Sequence, residues 1–200
     1  VGLGKTIEAC LILNKLVHTR TVDRCVVVVP EALTVQWLGE LWRKYHQVFT
    51  LLDGPRLADV EKDFGAGFNP FDVHRRVVIA LETLVASPEL TEQAVRAGID
   101  LLVVDEAHNV APAAGTHYAL ESQRTRFIRS ISPHFQHRLF LTATPHNGYT
   151  ESFTSLLELL DDQRFARNIL PDEKQLSQVM IRRLKSDLVD SEGKPLYAQR

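Results

Sequence analysis

Two short apolar runs without polar interruption limit the folds open to this chain. Residues 25–29 are one cysteine and four valines that end at Pro30, and residues 101–104 are leucines and valines that end at Asp105. Uninterrupted runs of this kind are typical of strands buried on both faces, which occur mainly in parallel sheets. Further strands are predicted at 77–80 and 138–142, and a short apolar piece at 48–52 ends at a turn signal at 53–55.

Segments with helical periodicity separate these runs. Helices are predicted at 6–20, 34–45, 88–97, 118–131, 151–160 and 176–188, and a loop at 65–70. Strands that alternate with helices predict an α/β fold, in the form of a parallel, doubly wound sheet with helices on both faces. Ligands of such sheets bind at the carboxyl ends of the strands.

The glycines at the start of the chain indicate a phosphate-binding loop. Gly2 and Gly4 precede Lys5 and Thr6 at the beginning of a predicted helix. In such a loop the backbone N–H groups and the helix N-terminus hold phosphates, the lysine reaches the β- and γ-phosphates, and the hydroxyl binds Mg²⁺. A helix that merely follows a glycine-rich turn is the alternative. Because no strand precedes the glycines, we expect a lobe truncated at the N-terminus, without its first strand.

A pair of carboxylates follows the predicted strand at 101–104. Metal-dependent phosphoryl transfer needs one carboxylate to hold Mg²⁺ and often a second one to orient and deprotonate the attacking water. Asp105 and Glu106, followed by Ala107 and His108, can supply both. A polar strand end is the alternative, but this tetrapeptide together with the phosphate loop favours an ATPase.

A third segment follows the predicted strand at 138–142. The hydroxyls of Thr142 and Thr144 are suited to sense the γ-phosphate through the carboxylate pair. Taken alone, Thr-Ala-Thr-Pro is more often an ordinary exit from a strand.

Taken in order, these segments resemble the motifs of the superfamily-two helicases and, within them, of the Swi/Snf-type ATPases. The matching segments are motif I at 2–9, motif Ia at 28–30 with Gln36 and Trp37, a segment at 82–84 that contacts the nucleic-acid backbone in relatives, motif II at 105–108 and motif III at 142–144. The resemblance covers nearly the whole chain. It implies a RecA-like P-loop NTPase lobe at 1–165 and a helical extension at 166–200 that leads toward a second lobe.

The resemblance also implies a role for each matching residue. Nucleotide contacts are expected from Gly2, Gly4, Lys5, Thr6 and Ile7, and Mg²⁺ contacts from Thr6 and Asp105. Lys5, Asp105 and Glu106 form the catalytic set, with Glu106 as general base. Coupling to the second lobe is expected from His108, Thr142 and Thr144, and contact with nucleic acid from Pro30, Gln36, Glu82 and Thr83.

The implied function is ATP hydrolysis that drives movement on duplex DNA, with RNA left open. The second RecA-like lobe supplies the arginine finger of such motors, so we expect this chain alone to be inactive. Residues 143–148 resemble prokaryotic members, namely the RNA-polymerase-recycling type and, as the favoured subgroup, the Swi/Snf-like protein of the DISARM anti-phage system. A nuclease-coupled helicase motor and a nucleotide-binding scaffold without turnover are the alternatives.

Composition limits the kinds of binding partner and the cellular compartment that are expected for this chain. The formal net charge of −2 predicts local contacts with nucleic acid rather than a broad basic surface. No apolar run reaches the roughly 18–20 residues that span a bilayer, so no membrane partner is expected. Cys10 and Cys25 lie within apolar stretches, which favours a reducing cytosol over a disulfide or zinc site. The resemblance at 143–148 implies that this cytoplasm is prokaryotic. His134 and His137 are interpreted as solvent-exposed, and Trp37 and Trp42 as core or interface residues.

Overall fold

The computed structural model describes residues 4–112, 122–145 and 150–182. A five-stranded sheet lies at the centre of these residues, with the order β2-β3-β1-β4-β5. All four pairings are parallel. The strands are β1 (Cys25–Val29), β2 (Thr50–Leu51), β3 (Arg76–Ala80), β4 (Leu101–Val104) and β5 (His137–Phe140).

Helices connect the strands and cover both faces of the sheet. They are α1 (Lys5–His18), α2 (Thr34–Tyr45), α3 (Gly54–Phe64), α4 (Pro70–Val73), α5 (Leu81–Ala86), α6 (Pro88–Arg96), α7 (Gln123–Ile131), α8 (Thr150–Leu160) and α9 (Glu173–Val179). Short 3₁₀ turns occupy Glu31–Leu33, Ala107–Val110 and Ser132–His134.

The central strands are buried on both faces because each face packs against helices. One apolar cluster joins α1 and α2 to the sheet through Val27, Val29 and Val103. The other cluster lies on the opposite face and joins α5, α6, α7 and α8 to alternate positions of the same strands, such as Val28 and Val104. This arrangement confirms the predicted α/β fold, since period-two alternation sends neighbouring residues to opposite faces.

Register aligns the carboxyl ends of the three strands that carry the motifs. Val28 of β1 pairs with Val104 of β4, which in turn pairs with Phe140 of β5. Backbone hydrogen bonds continue past the strand ends, because the Asp105 N–H donates to the Val28 carbonyl (2.9 Å) and the Leu141 N–H to the Val104 carbonyl (2.9 Å). The residues that follow β1, β4 and β5 are therefore held side by side.

Three helices lie where the sequence had predicted turns, a loop or no element. The turn signal at 53–55 begins α3 instead, because the Asp53 side chain accepts a hydrogen bond from the Arg56 N–H (3.0 Å) and Pro55 fits the first turn. Helix α5 follows Ala80 without a loop, and its six residues are too few for a clear apolar period. Pro70, predicted as loop, is the first residue of the short α4.

Several predicted boundaries were also wrong. Strand β5 ends at Phe140 rather than at residue 142. Helix α9 begins at Glu173, where Asp172 and Gln175 form a capping box, and it ends at Val179 instead of spanning 176–188. Helix α7 begins at Gln123, since Ser122 caps it, while residues 118–121 and 183–188 of the predicted helices lie outside the described residues.

Phe153 and Leu157 of α8 pack against Phe165 and against the partly buried Leu176 and Val179 of α9. The chain after α8 therefore folds back onto that helix. The boundary at residue 165 and the missing first strand both stay predictions. Every helix in the described ranges is too short or too polar to cross a lipid bilayer.

Candidate nucleotide site

Helix α1 presents its N-terminus at the phosphate-loop motif. Gly4 caps this helix in the left-handed region, with φ of 84° and ψ of 18°, which favours glycine because it lacks a Cβ atom. Lys5 and Thr6 form the start of the first turn and are half-buried. A helix N-terminus carries partial positive charge and free N–H groups, so this end of α1 can bind an anion. Gly2 lies outside the described residues.

The phosphate loop and the carboxylate pair meet in the structure. Lys5 Nζ donates to Glu106 Oε1 over 3.2 Å, although the two residues are 101 positions apart. The side chains of Lys5 and Glu106 are 27% and 28% exposed. Both groups thus remain accessible from solvent at the carboxyl edge of the sheet.

Glu106 reaches this position through an unusual backbone conformation. Its φ of 48° and ψ of 45° place a non-glycine residue in the left-handed region, at a typical cost of about 1–2 kcal/mol. The turn lets the Glu106 N–H donate to Asp105 Oδ1 over 2.8 Å, while the Glu106 carboxylate faces Lys5. A strained backbone of this kind persists only where the surrounding structure compensates for it, and such residues cluster at functional sites.

His108 connects the carboxylate pair with the third motif. Its Nδ1 lies 3.2 Å from Glu106 Oε2 and 3.1 Å from Thr142 Oγ1. The Thr144 N–H donates to the same Thr142 hydroxyl over 3.1 Å. Lys5, Glu106, His108, Thr142 and Thr144 therefore form one continuous chain of polar contacts across the ends of β4 and β5.

Asp105 is the buried member of the pair, with 7% of its surface exposed. Its Oδ2 accepts a hydrogen bond from the Trp37 indole N–H over 2.9 Å, and its Oδ1 accepts the one from Glu106. The sequence had placed Trp37 in motif Ia and predicted it as a core or interface residue, without a polar contact. It does pack, at 1% exposure, but this polar contact was missed because residue spacing does not reveal which helix crosses the end of β4.

The donor set fits Mg²⁺ that arrives together with phosphates. Within the described ranges no three histidine, cysteine, aspartate or glutamate side chains lie close enough to hold a metal ion. Mg²⁺ is commonly bound by one or two protein oxygens plus phosphates and waters, and Asp105 and Thr6 can supply these oxygens.

Ile7 takes part in the contact between α1 and α2 through its backbone. Its side chain is exposed, and its carbonyl accepts a hydrogen bond from the Tyr45 hydroxyl over 3.1 Å. This contact ties the first turn of α1 to the end of α2, so Ile7 holds the phosphate loop against the neighbouring helix. A direct contact between Ile7 and a nucleotide stays a prediction.

The residues predicted to face nucleic acid follow two neighbouring strands. Pro30 and Gln36 come after β1, and Glu82 and Thr83 after β3. Val29 and Ala80 pair at the ends of these strands, so the two segments share one edge of the sheet. Gln36 and Glu82 are exposed, while Pro30 and Thr83 are half-buried.

Arg124 of α7 was not predicted at this surface. Its guanidinium donates to Glu82 Oε1 over 3.1 Å, which offsets the charge of that carboxylate. Trp42, by contrast, is 57% exposed and packs edge-on against His46, so it is not a core residue. The interface alternative for Trp42 stays a prediction.

This chain matches a known family and part of several longer proteins. A family model for the SNF2-related domain matches residues 1–172. RNA polymerase-associated protein RapA of Pasteurella multocida is 38% identical over 203 aligned residues, which cover 99% of this chain and 20% of that protein. RapA of Actinobacillus succinogenes is 40% identical over 169 residues, which cover 82% of this chain and 17% of that protein. The chain thus spans a fifth or less of these relatives.

Solved structures share the fold. The SWI2/SNF2 ATPase core of Sulfolobus solfataricus in complex with dsDNA gives a TM-score of 0.61 at 17% identity, with 82% of this chain and 30% of that chain covered. The Hef helicase domain of Pyrococcus furiosus gives 0.54 at 18% identity, with 80% and 31% covered. This likeness confirms the predicted RecA-like lobe. Since the family model spans most of the sequence, the chain belongs to the SNF2-related domain family of Swi/Snf-type, superfamily-two ATPases.

Proposed function

We propose that this chain is the ATP-binding and hydrolysing lobe of a nucleic-acid-dependent translocase, in which hydrolysis drives movement along duplex DNA. The contact between Lys5 Nζ and Glu106 Oε1, 3.2 Å long, is the observation that carries the proposal. It brings a phosphate-binding cation and a candidate general base to one point. Glu106 also lies beside Asp105, which is suited to Mg²⁺.

Each residue of the site has a part in the proposed chemistry. The N-terminus of α1, with Gly4 and Lys5, holds the phosphates, and Thr6 and Asp105 hold the metal ion. Mg²⁺, when bound, neutralises charge on the phosphates during transfer. When Lys5 turns to a phosphate, the Glu106 carboxylate becomes free to orient the attacking water and to accept its proton.

The chain of polar contacts gives the proposed motor a route from hydrolysis to movement. A change in the partner of Glu106 alters its contact with His108, and His108 shares its Nδ1 with Thr142. Thr142 in turn holds the backbone of Thr144 at the exit from β5. We infer that this route transmits the nucleotide state toward a second RecA-like lobe, which also supplies the arginine finger.

The nucleic-acid track is proposed to run over the ends of β1 and β3, beside Pro30, Gln36, Glu82 and Thr83. Phosphate contacts from backbone N–H groups and a few side chains suffice for such a track, in keeping with a net charge of −2. Duplex DNA is favoured over RNA because the Swi/Snf structure that shares this fold is a complex with dsDNA.

The partner and the compartment are proposed from the relatives. RapA proteins are named as RNA polymerase-associated, and their 38–40% identity favours RNA polymerase over a defence complex as the partner of this chain. This inference shifts the preference away from the DISARM-like subgroup, whose anti-phage role stays a prediction. A cytoplasmic location in a prokaryote is part of the same proposal.

ATP turnover by the full-length protein tests the proposal. It is measured without nucleic acid, with single-stranded DNA and with duplex DNA, for the wild type, for Glu106→Gln and for Glu61→Gln. Glu61 is an exposed carboxylate on α3 and serves as the matched control. We expect strong duplex stimulation in the wild type and in Glu61→Gln, and a loss of roughly 10²–10⁴-fold in Glu106→Gln.

Two other outcomes would change the assignment. Equal stimulation by single strands would favour a conventional helicase. ATP binding without turnover under every condition would contradict the motor and leave a nucleotide-binding scaffold.

A further inference from the structure

Helix α2 places one indole group against the buried carboxylate of the site. The Trp37 side chain is 1% exposed, and its Nε1–H donates to Asp105 Oδ2 over 2.9 Å. An indole N–H is a donor only and usually needs a partner when it is buried. Asp105 is that partner, so the two side chains satisfy each other away from water.

This hydrogen bond limits how the Asp105 carboxylate can rotate. A carboxylate has about four lone-pair sites, and here one on each oxygen is occupied, by the Trp37 indole and by the Glu106 N–H. The two donors come from different elements, α2 and the turn after β4. Rotation about the Cβ–Cγ bond of Asp105 would break both hydrogen bonds. The lone-pair sites that are still free on the two carboxylate oxygens therefore keep one orientation.

Trp37 itself is held firmly. It belongs to the apolar cluster between α1, α2 and the sheet, together with Leu41, Val29 and Val103. The Tyr45 hydroxyl, at the end of the same helix, bonds the Ile7 carbonyl at the start of α1. The indole is therefore fixed relative to both the strand that precedes Asp105 and the helix that carries Lys5.

We propose that Trp37 is a positioning residue for metal binding, which sets the orientation of Asp105 toward Mg²⁺. The inference rests on the proposed function, because it concerns the metal–nucleotide complex of that site. It goes further in assigning a role to a residue on the helix that also carries Gln36, next to the proposed nucleic-acid track. Partners that orient metal ligands typically change metal affinity roughly 10–100-fold when removed.

The first test compares Trp37→Phe with Trp42→Phe in the full-length protein. Phenylalanine keeps an aromatic ring in each place but removes the N–H, and Trp42 is an exposed residue of the same helix. Duplex-stimulated ATP turnover is titrated with Mg²⁺ at saturating ATP. We expect Trp37→Phe to need roughly 10–100-fold more Mg²⁺ for half-maximal rate and to approach the wild-type rate at high Mg²⁺. Trp42→Phe should follow the wild type.

A merely structural role of Trp37 would give a different result. Lost packing would lower the maximal rate or the thermal midpoint and leave the Mg²⁺ requirement unchanged. A Mg²⁺ midpoint within about twofold of the wild type in a folded Trp37→Phe protein, well below the tenfold expected for a lost orienting partner, would overturn the inference.

The second test reports on the contact without turnover. The full-length protein is labelled with 5-fluorotryptophan, and the ¹⁹F resonances of Trp37 and Trp42 are assigned from their absence in Trp37→Phe and Trp42→Phe. We expect the Trp37 resonance to shift in Asp105→Asn, and in the wild type on adding Mg²⁺ with a non-hydrolysable ATP analogue. The analogue without Mg²⁺ should leave it in place, and the Trp42 resonance should move in neither case.

The two tests separate this inference from the proposed function. A Mg²⁺-dependent shift of Trp37 without any ATP turnover would support the positioning role and contradict the motor. ATP turnover together with a Trp37 chemical shift that changes neither with Mg²⁺ nor in Asp105→Asn would support the motor and overturn the positioning role. If Trp37→Phe does not fold, the loss of the same resonance in Trp37→Tyr assigns it, and the wild-type titration tests the inference.

Discussion

His108 Nδ1 lies 3.1 Å from Thr142 Oγ1, so a contact between residues 34 positions apart joins the strand ends of β4 and β5. The same nitrogen is 3.2 Å from Glu106 Oε2. His108 therefore lies between the candidate general base and the segment that leaves the sheet at β5. A group in this position can alter coupling without taking part in hydrolysis.

Replacing the Thr142 hydroxyl should separate hydrolysis from coupling. Thr142→Val keeps the side-chain shape but removes the partner of His108 and of the Thr144 N–H. We expect basal turnover to persist and duplex stimulation to fall roughly fivefold or more, a usual size for coupling between sites. Turnover is measured with and without duplex DNA. Thr21→Val, at an exposed threonine that precedes β1 at the amino ends of the strands, should leave stimulation intact.

The backbone at Glu106 should make stability depend on residue type rather than on charge. At φ of 48°, a β-branched residue is disfavoured, whereas asparagine is tolerated. We expect Glu106→Val to lower the free energy of unfolding by about 1–2 kcal/mol relative to Glu106→Asn, with turnover lost in both variants. Denaturant titration gives the difference. Equal stability of the two variants would show that the turn relaxes without strain.

Gly4 should resist substitution because of its conformation and not because of crowding. A Cβ atom at Gly4 would meet nothing within 4 Å, but its φ is 84°. We expect Gly4→Ala to cost about 1–2 kcal/mol, or to shift the start of α1 and weaken ATP binding. Gly54→Ala is the matched control, since this position is equally open and requires no positive φ. Thermal unfolding and nucleotide titration of both variants check this prediction.

Acid should destabilise the fold through His74. Burial and the nearby Arg56 lower the pKa of His74 below its ordinary value of 6.5. The unfolded chain then takes up a proton at a higher pH than the folded chain, so stability is lost as the pH falls below about 6.5 toward the folded pKa. We expect His74→Asn to lose less stability than the wild type between pH 7 and pH 5, measured by denaturant titration. A parallel loss in both proteins would assign the acid sensitivity to other groups.

A substitution at Lys5 should act on nucleotide binding more than on folding. Its bond to Glu106 is partly exposed, and pairs of this kind typically contribute no more than about 1 kcal/mol. We expect Lys5→Met to leave the thermal midpoint nearly unchanged and to weaken ATP binding strongly, because the phosphates lose their cation. Calorimetric titration with ATP and Mg²⁺ measures the affinity. Lys62→Met on α3 is the control and should bind ATP like the wild type.

The sequence by itself determined the class of fold and named the candidate residues of the site. Uninterrupted valine and leucine runs are typical of strands buried on both faces of a covered sheet, so β1, β3 and β4 were predicted close to their observed bounds. The motif residues follow the strands, and parallel strands expose their carboxyl ends at one edge. That rule predicted that the residues after Val104 and after Leu141 would lie at one edge of the sheet.

Only the tertiary structure decided how these residues contact one another. The left-handed turn at Glu106, the position of His108 beside Thr142 and the hydrogen bond from Trp37 to Asp105 depend on register and on where α2 crosses the sheet. Helices α3 and α5 were missed for a related reason, because capping residues also occur in turns and a short helix has no clear period. Local sequence specifies burial and backbone preference, whereas contacts between distant side chains are fixed only when the packed elements bring them together.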